Sequence, residues 1–406
     1  MSAGPLENVR VLDVGHVVAG PFAGVLLADL GADVIKVEDP ASGGDTLRKL
    51  SPKAANVPVW WKVAGRNKRS VAINLREQRG RDLLLDLVEH CDVMVENFRA
   101  GALERWNIGP AVLHARNSRL VLLRISGFGQ GRLGAGRPGY GRIGEAMSGA
   151  AHLTGEPEGS PTHVGFSLGD ATSGLLGAFG VLAALHARDQ TGKGDVVDVA
   201  LFESLFRMIE WQLPMADSLN VVARRRGNRF PIGSPVAGSF EARDGRWVTI
   251  SAATESGIQR VLHAAGGSEL ASDPRFADPE ARAEAGRLEE VEQAIAAWIR
   301  TEPSERVIET FEGTDVAAGF VYDAAMMIGD PIFEEREMVI RIDDDEAGSL
   351  VMPGVVPRLE HNPGRIRWAG PPLGQHTAEV LSELLGLTSE QLAELERAGI
   401  VTTADN

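Results

Sequence analysis

In VGFSLGDATSGLLGAFGVLAAL, residues 164–185, a single carboxylate, Asp170, stands at the mouth of a long apolar segment. An Asp here suits a helix N-cap, because its side chain accepts from free backbone N–H groups and complements the helix dipole. On this stretch alone the cap is the plain reading. A second candidate is the glycine turn DVGHVVAGPFAG, residues 13–24. Glycines between a strand and a helix let a phosphate approach the helix N-terminus. The spacing is not GxGxxG and Pro21 intrudes, so a dinucleotide fingerprint is not expected and a plain tight turn is the alternative. Third, KVAGRNKRSVAINLREQRGR, residues 62–81, carries seven Lys or Arg and one Glu. Such a block holds an anion or forms a solvated face. ENFRAGALERWNIG adds Asn97, Phe98, Arg99 and Arg105 just past a strand end, where open α/β sheets bind ligands. Two basic groups and a glycine turn beside strand ends imply a ligand with several phosphates. The glycine-rich stretch 126–155 is a further loop candidate, against the alternative of a disordered surface loop.

Several chemistries are not expected. The nine histidines show no HxxxH spacing and there is no CxxC, so no metal site is expected. No serine-hydrolase elbow is expected either. Lys36 lies in the strand-like VIKVE, with nothing marking it as a Schiff-base lysine. A net charge of -15 argues against nucleic acid as a partner. The single cysteine, Cys91, allows no internal disulfide and fits a cytoplasmic location. No signal peptide and no membrane-spanning run of about 20 apolar residues is expected.

The elements that must position these residues are legible in part. Residues 9–38 read as strand, glycine turn, helix and strand, a βαβ unit. Residues 78–90 and 110–116 read as helices, and 91–96 and 119–126 as strands, with Cys91 packed in the first of these strands. The Asp170 stretch opens a long helix to about His186, and TGKGDVVDVALFESLF gives turn, strand and helix. Strands alternating with helices imply an α/β fold with a parallel sheet covered on both faces. The character changes near residue 213. ARRRGNRFPIGSP reads as a linker or loop, FEARDGRWVTISAA as a hairpin, and 255–314 as mostly helical. This gives a large Rossmann-like domain over 1–213, a small α+β domain over 214–335 and a C-terminal segment over 336–406. The last contains a strand-rich stretch, a Pro/Gly turn and two helices.

RVLDVGHVVAGPFAGVLLADLGADVIKVE, RNKRSVAINL, DVMVENFRAGALERWNIG, ISGFGQ, SLGDATSG and TGKGDVVDVAL, taken in order, resemble the class III CoA-transferases. That group includes formyl-CoA and carnitine CoA-transferases and 2-methylacyl-CoA racemases. The resemblance runs through residues 6–210 and resumes at GPPLGQHTAEVL, residues 370–381. It implies an intertwined homodimer in which the C-terminal segment returns to the large domain. It implies an acyl-CoA:carboxylate CoA-transferase, with coenzyme A as substrate and no tightly bound cofactor, and no membrane partner. Asp170 is then the nucleophile, passing through acyl-aspartyl anhydride and aspartyl-CoA intermediates, its charge kept by the helix N-terminus. The family's CoA contacts fall on Val18 and Ala19, on Asn74, Leu75 and Arg76, on Asn97, Phe98 and Arg99, and on Arg105. Tyr140 corresponds to an aromatic of the acyl pocket.

The departures carry information. Racemases of the group have a His where this chain has Tyr140, which leaves racemisation as the alternative lacking one base. Many transferases carry an acidic residue after this tyrosine; here it is Gly141, and Glu145 is not an obvious substitute. The loop that closes over the nucleophile in formyl-CoA transferase corresponds to GNRFPIGSP, with fewer glycines. Arg224, Arg225 and Arg226 beside it suggest a dicarboxylic substrate, against the reading of a solvated charge run. A non-catalytic CoA-binding subunit that needs a partner chain is the remaining alternative.

Overall fold

A computed structural model describes residues 4–54, 56–229, 236–282, 284 and 286–404. The chain divides into two units, one built from Met1–Ala150, His163–Leu213 and Pro331–Asn406, the other from Ala151–Thr162 and Pro214–Asp330.

The first unit opens with β1 (Arg10–Asp13), α1 (Ala19–Asp29) and β2 (Asp33–Glu38). It continues through β3 (Lys68–Ile73), α2 (Gln78–Val88), β4 (Val93–Glu96), α3 (Ala102–Arg105), α4 (Pro110–Arg116) and β5 (Val121–Ser126). Then come α5 (Gly141–Ser148), α6 (Leu168–Thr191), β6 (Val196–Ala200) and α7 (Leu201–Met208). Cys91 is buried as expected, but it lies two residues before β4 rather than inside it.

Six strands pair in parallel in the order β3-β2-β1-β4-β5-β6, the doubly wound arrangement that the alternating pattern implies. Alternate residues of each strand enter opposite cores. Leu12, Ile35, Ile73, Met94 and Leu122 pack with the leucines of α2 on one face. Val11, Val34, Val93, Val121 and Leu123 pack with Ala23 and Leu27 of α1 and with Ala178 and Val181 of α6 on the other. Both faces are therefore dry, which is why the strands read as near-continuous apolar runs.

Helix α6 is the longest, at 24 residues, and ends at Gly192 in the left-handed region. By length and composition it could cross a bilayer, contrary to the sequence expectation, yet it packs on α1, β5, β6, α5 and α7 of its own unit. Small residues allow this. A Cβ on Gly174 would come within 2.7 Å of the Ala19 carbonyl oxygen, so α6 and α1 touch backbone to backbone.

The second unit holds a three-stranded antiparallel sheet of β7 (Val236–Glu241), β8 (Trp247–Ala252) and β9 (Ala317–Phe320). Against it pack α8 (Glu255–Ala271), α9 (Arg287–Ile299) and α10 (Ser304–Phe311), around Val248, Ile250, Val261 and Ile295. The β7–β8 hairpin turns at Asp244–Gly245, where the sequence places it.

The chain then contributes to the first unit again. The hairpin of β10 (Val339–Asp344) and β11 (Gly348–Pro353) is followed by α11 (Thr377–Leu385), α12 (Ser389–Arg397) and β12 (Val401–Thr402). β12 adds antiparallel to the β3 edge, and Val380, Leu381, Leu392 and Leu395 join the α2-side core.

Candidate active site

In this strand order the chain leaves β1 toward one side of the sheet and β4 lies on the other, so a crevice opens at their carboxyl ends. A cavity of about 410 Å³ lies there. It is lined by Val14 and His16 after β1, Glu38 at the end of β2 and Asp39 after it, Leu75 and Arg76 after β3, and Phe98 and Trp106 after β4. Phe98 meets His16 and Trp106 edge-on, with centroids 5.3 and 5.0 Å apart. Burial and the nearby Lys36 ammonium hold the His16 imidazole below its ordinary value.

Asn97 and Asn74 shape the rim by backbone contacts. The Asn97 Oδ1 accepts the His16 N–H at 2.7 Å, and its Nδ2 donates to the His16 carbonyl at 2.8 Å. Asn74 Oδ1 accepts the Arg76 N–H at 3.1 Å, while its own N–H donates to the Ile400 carbonyl. Val17 stands in the left-handed region at φ 65°, a genuine strain for a β-branched residue. Its N–H donates to both oxygens of the buried Asp45 carboxylate, at 3.2 and 3.3 Å. Val18 is then the N-cap of α1, with no side-chain cap. Nothing among the described residues accepts from the Ala19 N–H, as expected of a donor in the first turn of a helix.

A fully buried ion network underlies this turn. Lys36 donates to the Gly15 carbonyl and lies 3.6 Å from Asp13 and 3.4 Å from Asp45. Lys68 donates to Asp13 at 2.8 Å and to the Pro21 carbonyl at 2.7 Å. Burial pushes the Asp13 carboxyl up, but Lys36 and Lys68 together pull it below its ordinary value. Sequence reasoning passed over Lys36, whose signal was a charge inside a strand that must be covered on both faces.

The basic block is mostly not a phosphate cradle. Lys62 binds Asp344 and Glu346, Arg66 clamps Asp29, Lys68 binds Asp13, and Arg69 binds Asp33 and Glu383. Arg76 is exposed on the cavity wall, 3.2 Å from Asp39. The Arg99 and Arg105 side chains are exposed and make no hydrogen bond or ion pair with the described residues. They directly follow Phe98 in the chain and directly precede Trp106, both cavity residues.

Asp170 lies in the first turn of α6 and is not its cap; Ser167 holds that position. GFSLG, residues 165–169, does spell G-x-S-x-G, but irregular chain precedes it instead of a strand, so it forms no serine-hydrolase elbow. The Asp170 carboxylate accepts no hydrogen bond from the described residues. Burial, and then the Glu145 carboxylate, push it up to about 6. The helix start therefore does not hold this carboxyl at or below its ordinary value, as the sequence reading expected. Gly141 closes over it: a Cβ there would sit 2.4 Å from Asp170 Oδ2. Tyr140, the N-cap of α5, is 72% exposed beside this contact. Gly174, one helical turn after Asp170 on α6, rests on the Ala19 carbonyl of α1.

Glu145 and His163 are the residues that sequence reasoning missed. Glu145 is 3% exposed, 2.6 Å from His163 Nδ1, and accepts the Gly169 N–H at 3.3 Å.

In the second unit, Arg225 donates to the His152 carbonyl at 3.0 Å, Arg224 is exposed, and Arg226 lines a cavity of about 330 Å³ with Glu156 and Trp247. The three arginines thus diverge rather than form one cluster. Residues 230–235 of the GNRFPIGSP loop, Gly233 included, lie outside the described residues.

The sequence model of CoA-transferase family III matches residues 6–377. The chain is 40% identical over 398 residues to a succinyl-CoA–D-citramalate CoA-transferase of Chloroflexus aurantiacus, covering 98% of each. It is 40% identical over 400 residues to the beta subunit of a succinyl-CoA–L-malate CoA-transferase of the same organism, again covering 98% of each. A solved CAIB/BAIF family protein from Brucella suis superposes with a TM-score of 0.83 at 29% identity, covering 94% of this chain and 100% of that one.

Proposed function

The chain belongs to CoA-transferase family III and is a CoA-transferase, and we propose that it moves CoA from succinyl-CoA to a short dicarboxylic acid through covalent intermediates on Asp170. The observation that carries the reading is the position of Asp170. A carboxylate with no hydrogen-bond partner among the described residues stands in the first turn of α6, with Gly141 of α5 closed directly onto it.

The steps balance without an external proton. The Asp170 carboxylate attacks the thioester carbonyl; a C–O bond forms, the C–S bond breaks, and CoA leaves as thiolate. The thiolate attacks the Asp170 carbonyl carbon of the anhydride, forming aspartyl-CoA and releasing succinate. The acceptor carboxylate attacks that thioester and expels CoA thiolate again. The thiolate then takes the acceptor's acyl group, and Asp170 is restored as a carboxylate. The Ala19 N–H, which has no acceptor among the described residues, is the donor proposed for the oxyanion that develops in each attack. The crevice at the strand ends, with its aromatic walls and with Arg76, Arg99 and Arg105 beside it, suits the nucleotide end of CoA.

CoA is here a substrate, and no tightly bound cofactor is needed. The reading includes a homodimer. Leu175, Phe179 and Leu182 form an exposed stripe at i, i+4 and i+7 of α6, Phe179 by 68%, which favours pairing with a second copy. It also includes a cytoplasmic setting, which the lone buried thiol of Cys91, pushed up by burial to about 12, suits.

The test is one incubation in D2O. Purified protein and its Asp170→Ala variant meet succinyl-CoA, a 2-methylacyl-CoA and a panel of acids including D-citramalate and L-malate, with products read by mass spectrometry. New acyl-CoA esters from the wild type alone support the proposal. Deuterium at C2 of the 2-methylacyl-CoA, without any new ester, overturns it in favour of racemisation. Inactivity that is relieved only by a second, related chain makes this a subunit of a larger enzyme.

A further inference from the structure

Behind Asp170 lies a carboxylate–imidazole pair that the transfer steps above do not use. Glu145, on α5, is almost fully buried, and both its oxygens are engaged. Oε2 meets His163 Nδ1 at 2.6 Å, and Oε1 accepts the N–H of Gly169, the residue before Asp170. Gly141, on the same helix, has no Cβ and so lets α5 close onto the Asp170 carboxylate.

No other charge on the neighbouring elements competes. The elements packed on α6 bring Asp29 from α1, bound to Arg66, and Arg124 from β5, bound to Glu96 and Glu104. They bring Asp198 from β6, which accepts the Gln130 N–H, and from α7 Glu203, which accepts the Ala200 N–H, and Arg207, paired with Glu210. Arg142 on α5 is exposed. The other charged and titratable residues of α6 itself, His186, Arg188 and Asp189, are four or more turns from Asp170.

We propose that Glu145 and His163 are a positioning pair for the nucleophile: Glu145 fixes the first turn of α6 and sets a negative charge against Asp170, and His163 holds Glu145 in place. This rests on Asp170 being the nucleophile. Two carboxylates held close cannot both ionise freely. Acylation removes one of them, because the charge departs with the CoA thiolate. The pair therefore raises the resting carboxylate relative to the acylated one and favours attack, an effect on kcat more than on substrate binding. It also makes Asp170 a more basic, hence stronger, nucleophile.

The experiment reads Asp170 directly. The carboxyl carbon is followed by ¹³C NMR in protein labelled at Asp, and the signal is assigned by its loss in Asp170→Asn. In the wild type it titrates near pH 6. In Glu145→Gln its midpoint falls by roughly half a pH unit to one, and kcat falls by about tenfold with KM little changed. His163→Ala weakens catalysis, and His163→Gln, which keeps a donor for Glu145, restores most of it. Glu145→Asp, which keeps the charge but withdraws it by one methylene from the Gly169 N–H and from Asp170, gives a smaller fall of the midpoint and supplies a second reading should the glutamine variant fail to fold. An unchanged Asp170 midpoint in Glu145→Gln, or a loss confined to KM, overturns the proposal. The titration needs no turnover, so a shifted midpoint in a protein that transfers no CoA would leave the pair standing and remove the transferase substrate reading instead.

Discussion

Replacing Asp170 by Asn should stabilise the protein at neutral pH while removing its activity. The folded carboxyl is pushed from an ordinary 3.8 up to about 6 by burial and by Glu145. The unfolded chain therefore releases this proton near pH 4, whereas the folded chain keeps it to about pH 6. Between those values the native state binds more protons, so stability falls as pH rises, and the loss is complete above the folded value. Raising a carboxyl from 3.8 to about 6 costs about 3 kcal/mol, and partial solvation of the half-buried side chain reduces this to about 1–3 kcal/mol. Asn has nearly the same shape and no charge, so the variant escapes the loss. The assay is urea or thermal unfolding of both proteins at pH 5 and pH 8, taking the difference so that every other titrating group cancels. The variant should gain stability relative to the wild type as pH rises, with a melting temperature at pH 8 higher by a few degrees. A variant that is equally or less stable at pH 8, or a difference that does not grow with pH, would refute the electrostatic account of the site.

Two further predictions separate the cations of the basic region. Arg99→Ala and Arg105→Ala should each raise KM for the acyl-CoA about five- to thirtyfold, leave kcat and folding nearly unchanged, and make the loss smaller at high salt, because an exposed cation on a phosphate is worth about 1–2 kcal/mol. Steady-state kinetics at two ionic strengths checks this, and an unchanged KM would place the CoA phosphates elsewhere. Lys68→Met should behave oppositely: it leaves Asp13 buried and half-paired beside Lys36, at a cost of about 3–5 kcal/mol, so unfolding measurements should show a large loss before any effect on KM can be read.

The fold was legible because its sheet is covered on both faces. A strand buried on both sides is apolar at most positions, so VRVLD, VIKVE and VLLRIS stand out from the helices between them. The same fact conceals the ion network. Asp13 and Lys36 are register partners on β1 and β2, but a pairing register is a tertiary property, and nothing local to VIKVE says which strand lies beside it. The charged block at 62–81 misled for a related reason. Its partners Asp344, Asp29 and Glu383 come from distant segments, so neighbours in sequence show only the positive half of each pair.

The candidate site was legible where backbone and motif coincide and illegible where helix faces meet. The turn after β1, the ends of β3 and β4 and the start of α6 are each contiguous stretches whose residue types announce a turn or a helix mouth. Glu145 belongs to none of them. An acidic residue directly after Tyr140 would occupy position 141, yet a Cβ there would collide with the Asp170 carboxylate. Moving the acid one helical turn on, to 145, puts a carboxylate near Asp170 while glycine keeps the backbones close. The absence at 141 and the presence at 145 are then two halves of one arrangement. His163 completes it from a segment outside both helices, where a lone histidine in PTHVGF carries no spacing signal at all. Introducing a side chain at 141 tests the connection. Gly141→Ala should push Asp170 off its place and lower kcat even with Glu145 and His163 intact. Full activity in that variant would show that the close approach of the two helices is incidental to the chemistry.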